Sequence, residues 1–135
     1  MKILIDTNVI LDVLCNRADF VEDAKKIFKL CEVNKVDGYI SALSVPNIIN
    51  VRRKEFDSEK TADILEKLSL VFQIADLKGS DMIKAAKVGF NDYGDVLQSV
   101  CALRIKADYI ITRNIKDFAK SKVTAIKPSE FLERV

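Results

Sequence analysis

The chain has 135 residues, of which 49% are hydrophobic and 31% charged, and its formal net charge is +2. This length and composition predict one globular domain, residues 1–135, and the small net charge does not by itself indicate a nucleic-acid partner. The complete absence of histidine excludes Ser-His-Asp and Cys-His mechanisms and nearly all zinc hydrolase sites. No apolar run has the length of a transmembrane helix, and the first residues lack a signal-peptide core, so we expect a cytoplasmic protein without a membrane partner.

The three cysteines are predicted to be buried thiols. Cys15, Cys31 and Cys101 all lie within apolar patterns, and no two of them have the Cys-x-x-Cys spacing of a metal or redox motif. A disulfide framework or a zinc site is therefore not expected.

The first half of the sequence predicts strands that alternate with helices. Pro46 is compatible with a helix only near its first turn, and Ser58 is a suitable N-cap for the helix that follows it. The predicted elements are, in chain order, a strand over residues 2–6, a helix over 20–36, a strand over 39–41, a helix that ends near Arg53, a helix over 59–70 and a strand over 71–75.

The second half continues the same alternation. Its predicted elements are a helix over residues 80–88, a helix over 92–106, a strand over 108–112, a strand over 123–126 and a helix over 129–134. Strands alternating with helices predict an α/β fold with three layers, α/β/α, around a mainly parallel sheet of roughly five strands.

Four aspartates follow predicted strands or open predicted helices: Asp6, Asp92, Asp95 and Asp117. In a parallel α/β sheet, the carboxyl ends of the strands and the N-termini of the flanking helices lie at the same edge. We therefore expect these acids to meet. Because each carboxylate raises the free energy of ionising its neighbours, the cluster predicts a hard divalent cation, Mg²⁺ or Mn²⁺.

Each acid taken alone also has a structural explanation. Asp6 is suited to cap a helix, and Asp92 and Asp95 have the spacing of an N-cap and its third helical residue. Asn114 and Asp117 repeat that spacing. A solvent-facing or helix-terminal position is expected for Asp12.

Three segments resemble the motifs of PIN-domain ribonucleases, in the same order along the chain. The opening segment is Asp6-Thr7-Asn8-Val9-Ile10-Leu11-Asp12, and the central one is Asp92-Tyr93-Gly94-Asp95-Val96-Leu97-Gln98. The closing segment is Ile110-Ile111-Thr112-Arg113-Asn114, followed by Asp117-Phe118. The likeness spans essentially the whole chain and is greatest to the single-domain VapC-type toxins of prokaryotic toxin–antitoxin pairs.

The resemblance implies a Mg²⁺- or Mn²⁺-dependent endoribonuclease that cuts single-stranded RNA. By position, Asp6, Asp95 and Asp117 match metal-binding catalytic acids of the family, and Asp92 is an additional acidic neighbour with a catalytic role. Asn47 stands where the family has a fourth acid, a glutamate. A supporting role is predicted for Asn47, whose amide oxygen could still contact a cation or a bridging water. Supporting roles are also predicted for Thr112 and Asn114, which would orient ligands, and Arg113 would contact phosphate.

The resemblance also implies a homodimer and a small antitoxin whose segment covers the acidic site. Two other functions stay open. One is a PIN-like module that binds RNA or protein without cleavage, because Asn47 removes one negative charge. The other is a phosphoryl-transfer domain of the receiver or haloacid-dehalogenase type, although Asp6-Thr7-Asn8 lacks the second aspartate expected there.

Overall fold

Five strands form one parallel sheet in the computed structural model, which describes residues 1–51, 57–89 and 91–135. The strands are β1 (Lys2–Ile5), β2 (Asp37–Ser41), β3 (Gln73–Ala75), β4 (Tyr109–Ile111) and β5 (Thr124–Ile126). They lie in the order β3-β2-β1-β4-β5, and every neighbouring pair is parallel. The predicted α/β class and the predicted five-stranded sheet are confirmed.

Seven α-helices occupy the described parts of the chain. They are α1 (Thr7–Leu14), α2 (Val21–Glu32), α3 (Ser44–Val51), α4 (Ser58–Val71), α5 (Gly79–Val88), α6 (Tyr93–Arg104) and α7 (Pro128–Arg134), and a short 3-10 helix spans Ile115–Phe118. None of the helices within these described ranges is both long and apolar enough to cross a bilayer.

The direction of winding changes next to β1. The chain adds β2 and β3 on one side of β1, then returns and adds β4 and β5 on the other side. The strand order therefore reverses between β1 and β4. Open α/β sheets bind ligands at such a switch point, outside the carboxyl ends of the strands.

Apolar side chains cover both faces of β1. Ile3 and Ile5 belong to one hydrophobic cluster, which they share with residues of α1, α2 and α7. Leu4, between them, belongs to a second cluster with Ala102 of α6 and Ile110 of β4. Because successive side chains of a strand point to opposite faces, these clusters lie on the two sides of the sheet. The predicted three-layer arrangement is confirmed.

Several predicted boundaries differ from those in the structure, and two of the differences have a clear local cause. Ser58 is not the N-cap of α4, because the carboxylate of Asp57 accepts the hydrogen bond from the Lys60 amide at 2.8 Å. The strand predicted over residues 71–75 begins at Gln73, because α4 and its C-terminal cap take the first two residues. The predicted end of the preceding helix, near Arg53, lies outside the described residues.

The cysteines are free thiols, as predicted. Cys31 and Cys101 are buried, whereas Cys15 is half-buried. Burial raises the pKa of Cys31 to about 12, so this thiol stays protonated and unreactive at neutral pH.

Candidate functional site

Asp6 lies at the switch point, directly after β1. Its side chain is 5% exposed. Thr112 Oγ1 donates a hydrogen bond to Asp6 Oδ2 at 2.9 Å, and Gln98 Nε2 donates one to Oδ1 at 3.1 Å. Both donors are neutral, so these bonds orient the carboxylate without supplying a counter-charge. The side chain of Asp6 makes no capping hydrogen bond to α1, so helix capping does not account for an aspartate here.

Thr112 is itself fixed by the turn that follows β4. It is fully buried, and its hydroxyl accepts a hydrogen bond from the Asn114 amide at 3.0 Å. With that lone pair occupied, the hydroxyl proton is directed to Asp6. Thr112 therefore contacts one of the predicted acids, whereas Asn114 acts through its backbone and has an exposed side chain.

Asp92 caps α6, as its spacing from Asp95 indicated. The Asp92 carboxylate accepts a hydrogen bond from the Asp95 amide at 3.1 Å. This bond sets the two carboxylates at the N-terminus of α6, where the helix dipole favours negative charge. Capping thus explains Asp92 but leaves the Asp95 side chain unexplained.

A cleft of about 150 Å³ opens beside these acids, and Asp92, Asp95 and Asp117 line it. Asp117 belongs to the 3-10 helix after β4, so the cleft lies between the start of α6 and that helix. Asp6 is buried and does not line the cleft. The structure therefore brings together three acids at the surface of the cleft and one in the interior.

The four acids influence one another electrostatically. Burial, followed by the negative charges of Asp92, Asp6 and Asp117, raises the pKa of Asp95 to about 7. Burial also raises the pKa of Asp6; its hydrogen-bond donors offset part of this effect, and the charge of Asp117 adds to it. Such mutual effects require carboxylates that lie close together, although they come from three separate parts of the chain.

Two lysines line the same cleft, Lys116 and Lys120. The ammonium of Lys120 donates a hydrogen bond to the carbonyl oxygen of Gly89 at 2.7 Å, which links the two walls of the cleft. Lys116 forms no ion pair with any residue that the structure describes. Sequence reasoning assigned no role to either lysine.

Arg113, the predicted phosphate contact, is bound to Asp12 instead. Its Nε and Nη2 atoms donate to the two oxygens of Asp12 at 2.8 and 3.0 Å, and its guanidinium carbon lies 3.9 Å from the centroid of the Phe20 ring. Arg17 makes a further contact with Asp12 at 3.3 Å. The expectation that Asp12 faces solvent or ends a helix is wrong, because it is 1% exposed within α1 and two arginines neutralise it.

Asn47 is not placed against the acids. It is exposed on α3 and does not line the cleft. The first turn of α3 does approach the site, since the hydroxyl groups of Ser44 and Thr7 are 2.7 Å apart and Thr7 follows Asp6. Asn47 lies one turn beyond Ser44 on the same helix.

Gln98 is a member of the site that sequence reasoning did not identify. It is 4% exposed and reaches Asp6 from α6. The signal was present in the spacing, because residues three apart share a helix face and Gln98 lies three positions after Asp95. Glutamine is also an uncommon residue at a buried position, which is a further sign of a specific role.

The site has the chemistry of a centre for a hard divalent cation. Its candidate ligand atoms are oxygens, which Mg²⁺ and Mn²⁺ prefer, and the raised pKa of Asp95 reflects first its burial and then the negative charges around it. With the side chains as they stand, no three acids or cysteines of the described residues converge closely enough to hold one ion.

Comparisons with known proteins agree with this arrangement. The family model described as "PIN domain" matches residues 2–116. Three similar solved structures, each 16–20% identical to this chain, are VapBC2 from Rickettsia felis bound to a promoter DNA fragment, FitAcB from Neisseria gonorrhoeae and VapBC-1 from nontypeable Haemophilus influenzae.

These three structures share the fold over nearly their whole length. Rickettsia felis VapBC2 is 16% identical, with a TM-score of 0.71 over 94% of this chain and 98% of that chain. FitAcB is 20% identical, with a TM-score of 0.66 over 94% and 98%, and VapBC-1 is 17% identical, with a TM-score of 0.70 over 96% and 99%. A comparison with curated proteins gave no match. Since the family model covers most of the sequence, the chain belongs to the PIN domain family.

Proposed function

We propose that this PIN domain is a divalent-cation-dependent endoribonuclease that cleaves single-stranded RNA. The observation that carries the proposal is the gathering of four acids: Asp92, Asp95 and Asp117 line one cleft, and Asp6 is buried beside them, close enough for its charge to raise the pKa of Asp95. Gathering four acids destabilises the folded protein unless a positive charge joins them. No lysine or arginine in the described ranges forms an ion pair with any of the four, so a cation would supply the missing charge.

The proposed roles follow from the hydrogen bonds around each acid. Asp6, Asp95 and Asp117 would hold Mg²⁺ or Mn²⁺, which supplies a Lewis acid for phosphodiester hydrolysis when it is bound. Thr112 would keep the Asp6 carboxylate in a fixed orientation through its hydroxyl. Asp92, held at the cleft by its capping bond, would accept a hydrogen bond from the attacking water and orient it.

In this proposal, Lys116 is the residue that contacts RNA phosphate. The Nε and Nη2 atoms of Arg113 already donate hydrogen bonds to Asp12, and its guanidinium stacks on the ring of Phe20. Lys116 instead lines the acidic cleft and forms no ion pair within the described part of the chain. A cation beside the acids would attract the phosphate that the acids alone would repel.

We further propose that the protein is the cytoplasmic toxin of a toxin–antitoxin pair and forms a homodimer. Support comes from the fold shared with VapBC and FitAcB structures. Exposed apolar side chains, including Leu70 at 81% and Ile83 at 60%, are suited to be covered by a second copy or an antitoxin. Light scattering after size exclusion would show twice the chain mass, and a mass of one chain at all concentrations would contradict the dimer.

The second candidate function is a PIN module that binds RNA without cutting it. Asn47 favours it, because an exposed amide stands on α3 where the resemblance to PIN-domain ribonucleases implies an acid. An Asn47→Glu variant separates the two functions. If wild type is inactive and the variant cleaves RNA in the presence of Mn²⁺, the non-cleaving module is correct; if wild type already cleaves, the nuclease is correct.

The direct test is cleavage of single-stranded RNA with Mg²⁺ or Mn²⁺. Asp6→Asn and Asp95→Asn should each lower the cleavage rate by at least about 100-fold. Loss of a single group that stabilises charge in the transition state has an effect of this size. Asp63→Asn, at an exposed acid of α4 that pairs with Lys67, is the matched control and should cleave as wild type does. Equal cleavage by wild type and both site variants would refute the assignment.

A further inference from the structure

One buried polar atom beside Asp6 has no partner. Among the described residues, the carbonyl oxygen Oε1 of Gln98 is the buried side-chain atom that accepts no hydrogen bond. The same amide group donates through Nε2 to Asp6 Oδ1 at 3.1 Å. The unpaired oxygen is bonded to the same carbon as the nitrogen that contacts Asp6, so it lies beside the hydrogen bond that holds the Asp6 carboxylate.

The orientation of the amide does not remove this unpaired atom. If the group turned over, Oε1 would face the ionised carboxylate of Asp6, and two acceptors would oppose each other. Thr112, the other donor to Asp6, differs in this respect. Its hydroxyl both donates to Asp6 and accepts from the Asn114 amide, so its hydrogen-bonding capacity is used.

Packing alone does not explain a glutamine at this position. The side chain is 4% exposed, and an unpaired buried acceptor costs free energy that leucine or methionine of similar size would avoid. A partner that arrives with a ligand would remove that cost. Mg²⁺ keeps several of its water molecules when proteins bind it, and these waters are strong hydrogen-bond donors.

We propose that Gln98 is a positioning residue of the cation site, whose amide nitrogen fixes Asp6 and whose carbonyl oxygen accepts a hydrogen bond from a water of a hydrated divalent cation. This inference rests on the proposed function, because it concerns the same site. It adds a neutral residue of α6 to a site that the motif described through its acids alone. Gln98 shares its helix face with Asp95, so α6 would contribute both a charged and a neutral oxygen.

Two substitutions separate this role from packing. Gln98→Leu removes both the donor and the acceptor, whereas Gln98→Glu keeps an acceptor oxygen and removes the donor. The readouts are the Mn²⁺ dissociation constant from isothermal titration and the rise in unfolding midpoint that Mn²⁺ produces. Gln73→Leu, at the chain's other glutamine, which is exposed on β3, is the matched control.

We expect Gln98→Leu to weaken Mn²⁺ binding by about 10- to 100-fold, as losses of groups that orient metal ligands do. Without metal, Gln98→Glu should be less stable than wild type, because a second carboxylate faces Asp6. When Mn²⁺ is added, its unfolding midpoint should rise at least as much as that of wild type. Gln73→Leu should bind Mn²⁺ as wild type does.

Each alternative outcome is distinguishable. If wild type binds Mn²⁺ and Gln98→Leu binds it equally well, the role of Gln98 is refuted while the cation site stands. If Gln98→Leu does not fold, the Gln98→Glu variant decides: a smaller Mn²⁺-induced rise than in wild type refutes the acceptor role. If wild type does not bind Mn²⁺ at all, the proposed cation site itself is refuted, and this inference with it.

Discussion

Two buried aspartates at opposite ends of the same short segment have opposite surroundings. Asp12, within α1, receives two hydrogen bonds from Arg113 and a further contact from Arg17. Asp6, just before α1, receives hydrogen bonds only from neutral groups, and its described neighbours include another acid, Asp117. A buried charge that is paired contributes to structure, whereas one left without a counter-charge indicates a place where a cation binds.

The Asp12 cluster predicts a large loss of stability without a loss of cation binding. Arg113→Met should lower the free energy of unfolding by about 3 kcal/mol, because it removes the two-point contact and leaves the buried charge with Arg17 alone, at 3.3 Å. Urea denaturation measures this loss, and Mn²⁺ titration of the folded variant should match wild type. Arg134→Met, at an exposed arginine that contacts Tyr109, should have a much smaller effect on stability. Loss of RNA binding without loss of stability would show that Arg113 contacts substrate after all.

The Asp6 region predicts a dependence on pH with a defined sign. Since the pKa of Asp95 is raised to about 7, the folded protein holds a proton there that the unfolded chain releases near its ordinary value of 3.8. The stability contributed by this proton is present below the unfolded value and is lost as pH rises through about 7. Without metal, Asp95→Asn should therefore flatten the fall in unfolding free energy between those pH values. A variant as dependent on pH as wild type would contradict the assignment.

Cation binding should change with pH in the opposite direction. If Asp95 is a ligand, its ionised form would be the one that binds metal. Mn²⁺ affinity should then rise as pH increases towards 7, by up to about tenfold per unit below that value, and level off above it. Titrations at several pH values would measure this. An affinity that is flat between pH 5 and 8 would show that Asp95 is not a ligand.

The smallest effect is expected at Lys116. The measurement uses the Asp95→Asn protein as background. Adding Lys116→Gln to it should weaken binding of single-stranded RNA by a few fold. The slope of log affinity against log salt concentration should become shallower by about 0.7, as expected for the loss of one phosphate contact. Lys35→Gln, at an exposed lysine that lines a different groove, is the control. Identical anisotropy titrations for Lys116→Gln and Lys35→Gln would remove Lys116 from the RNA contact.

The sequence was sufficient for the fold because its information is local. Short β-prone runs such as Ile3-Leu4-Ile5 and helical periodicity in the segments between them predict an alternating α/β chain. The parallel arrangement then follows, and with it the shared edge at which Asp6, Asp95 and Asp117 meet.

The sequence was not sufficient to predict which side chains contact each buried acid. Gln98 reaches Asp6 across 92 positions, and Arg113 reaches Asp12 across 101. Neither pairing has a local pattern, because β4 and α6 are brought beside β1 only when the sheet is assembled. The motif therefore indicated which acids lie near one another, while the assignment of Arg113 to an ion pair with Asp12 required the three-dimensional arrangement.

The most direct test of the comparison is a Mn²⁺ titration of wild type beside Asp6→Asn and Asp12→Asn, with the unfolding free energy of each measured in urea. We expect wild type to bind Mn²⁺, Asp6→Asn to bind it at least about tenfold more weakly, and Asp12→Asn to bind it as wild type does while being less stable. Equal weakening by both substitutions, or no Mn²⁺ binding by wild type, would contradict the account that the unmatched charge at Asp6 marks a cation site.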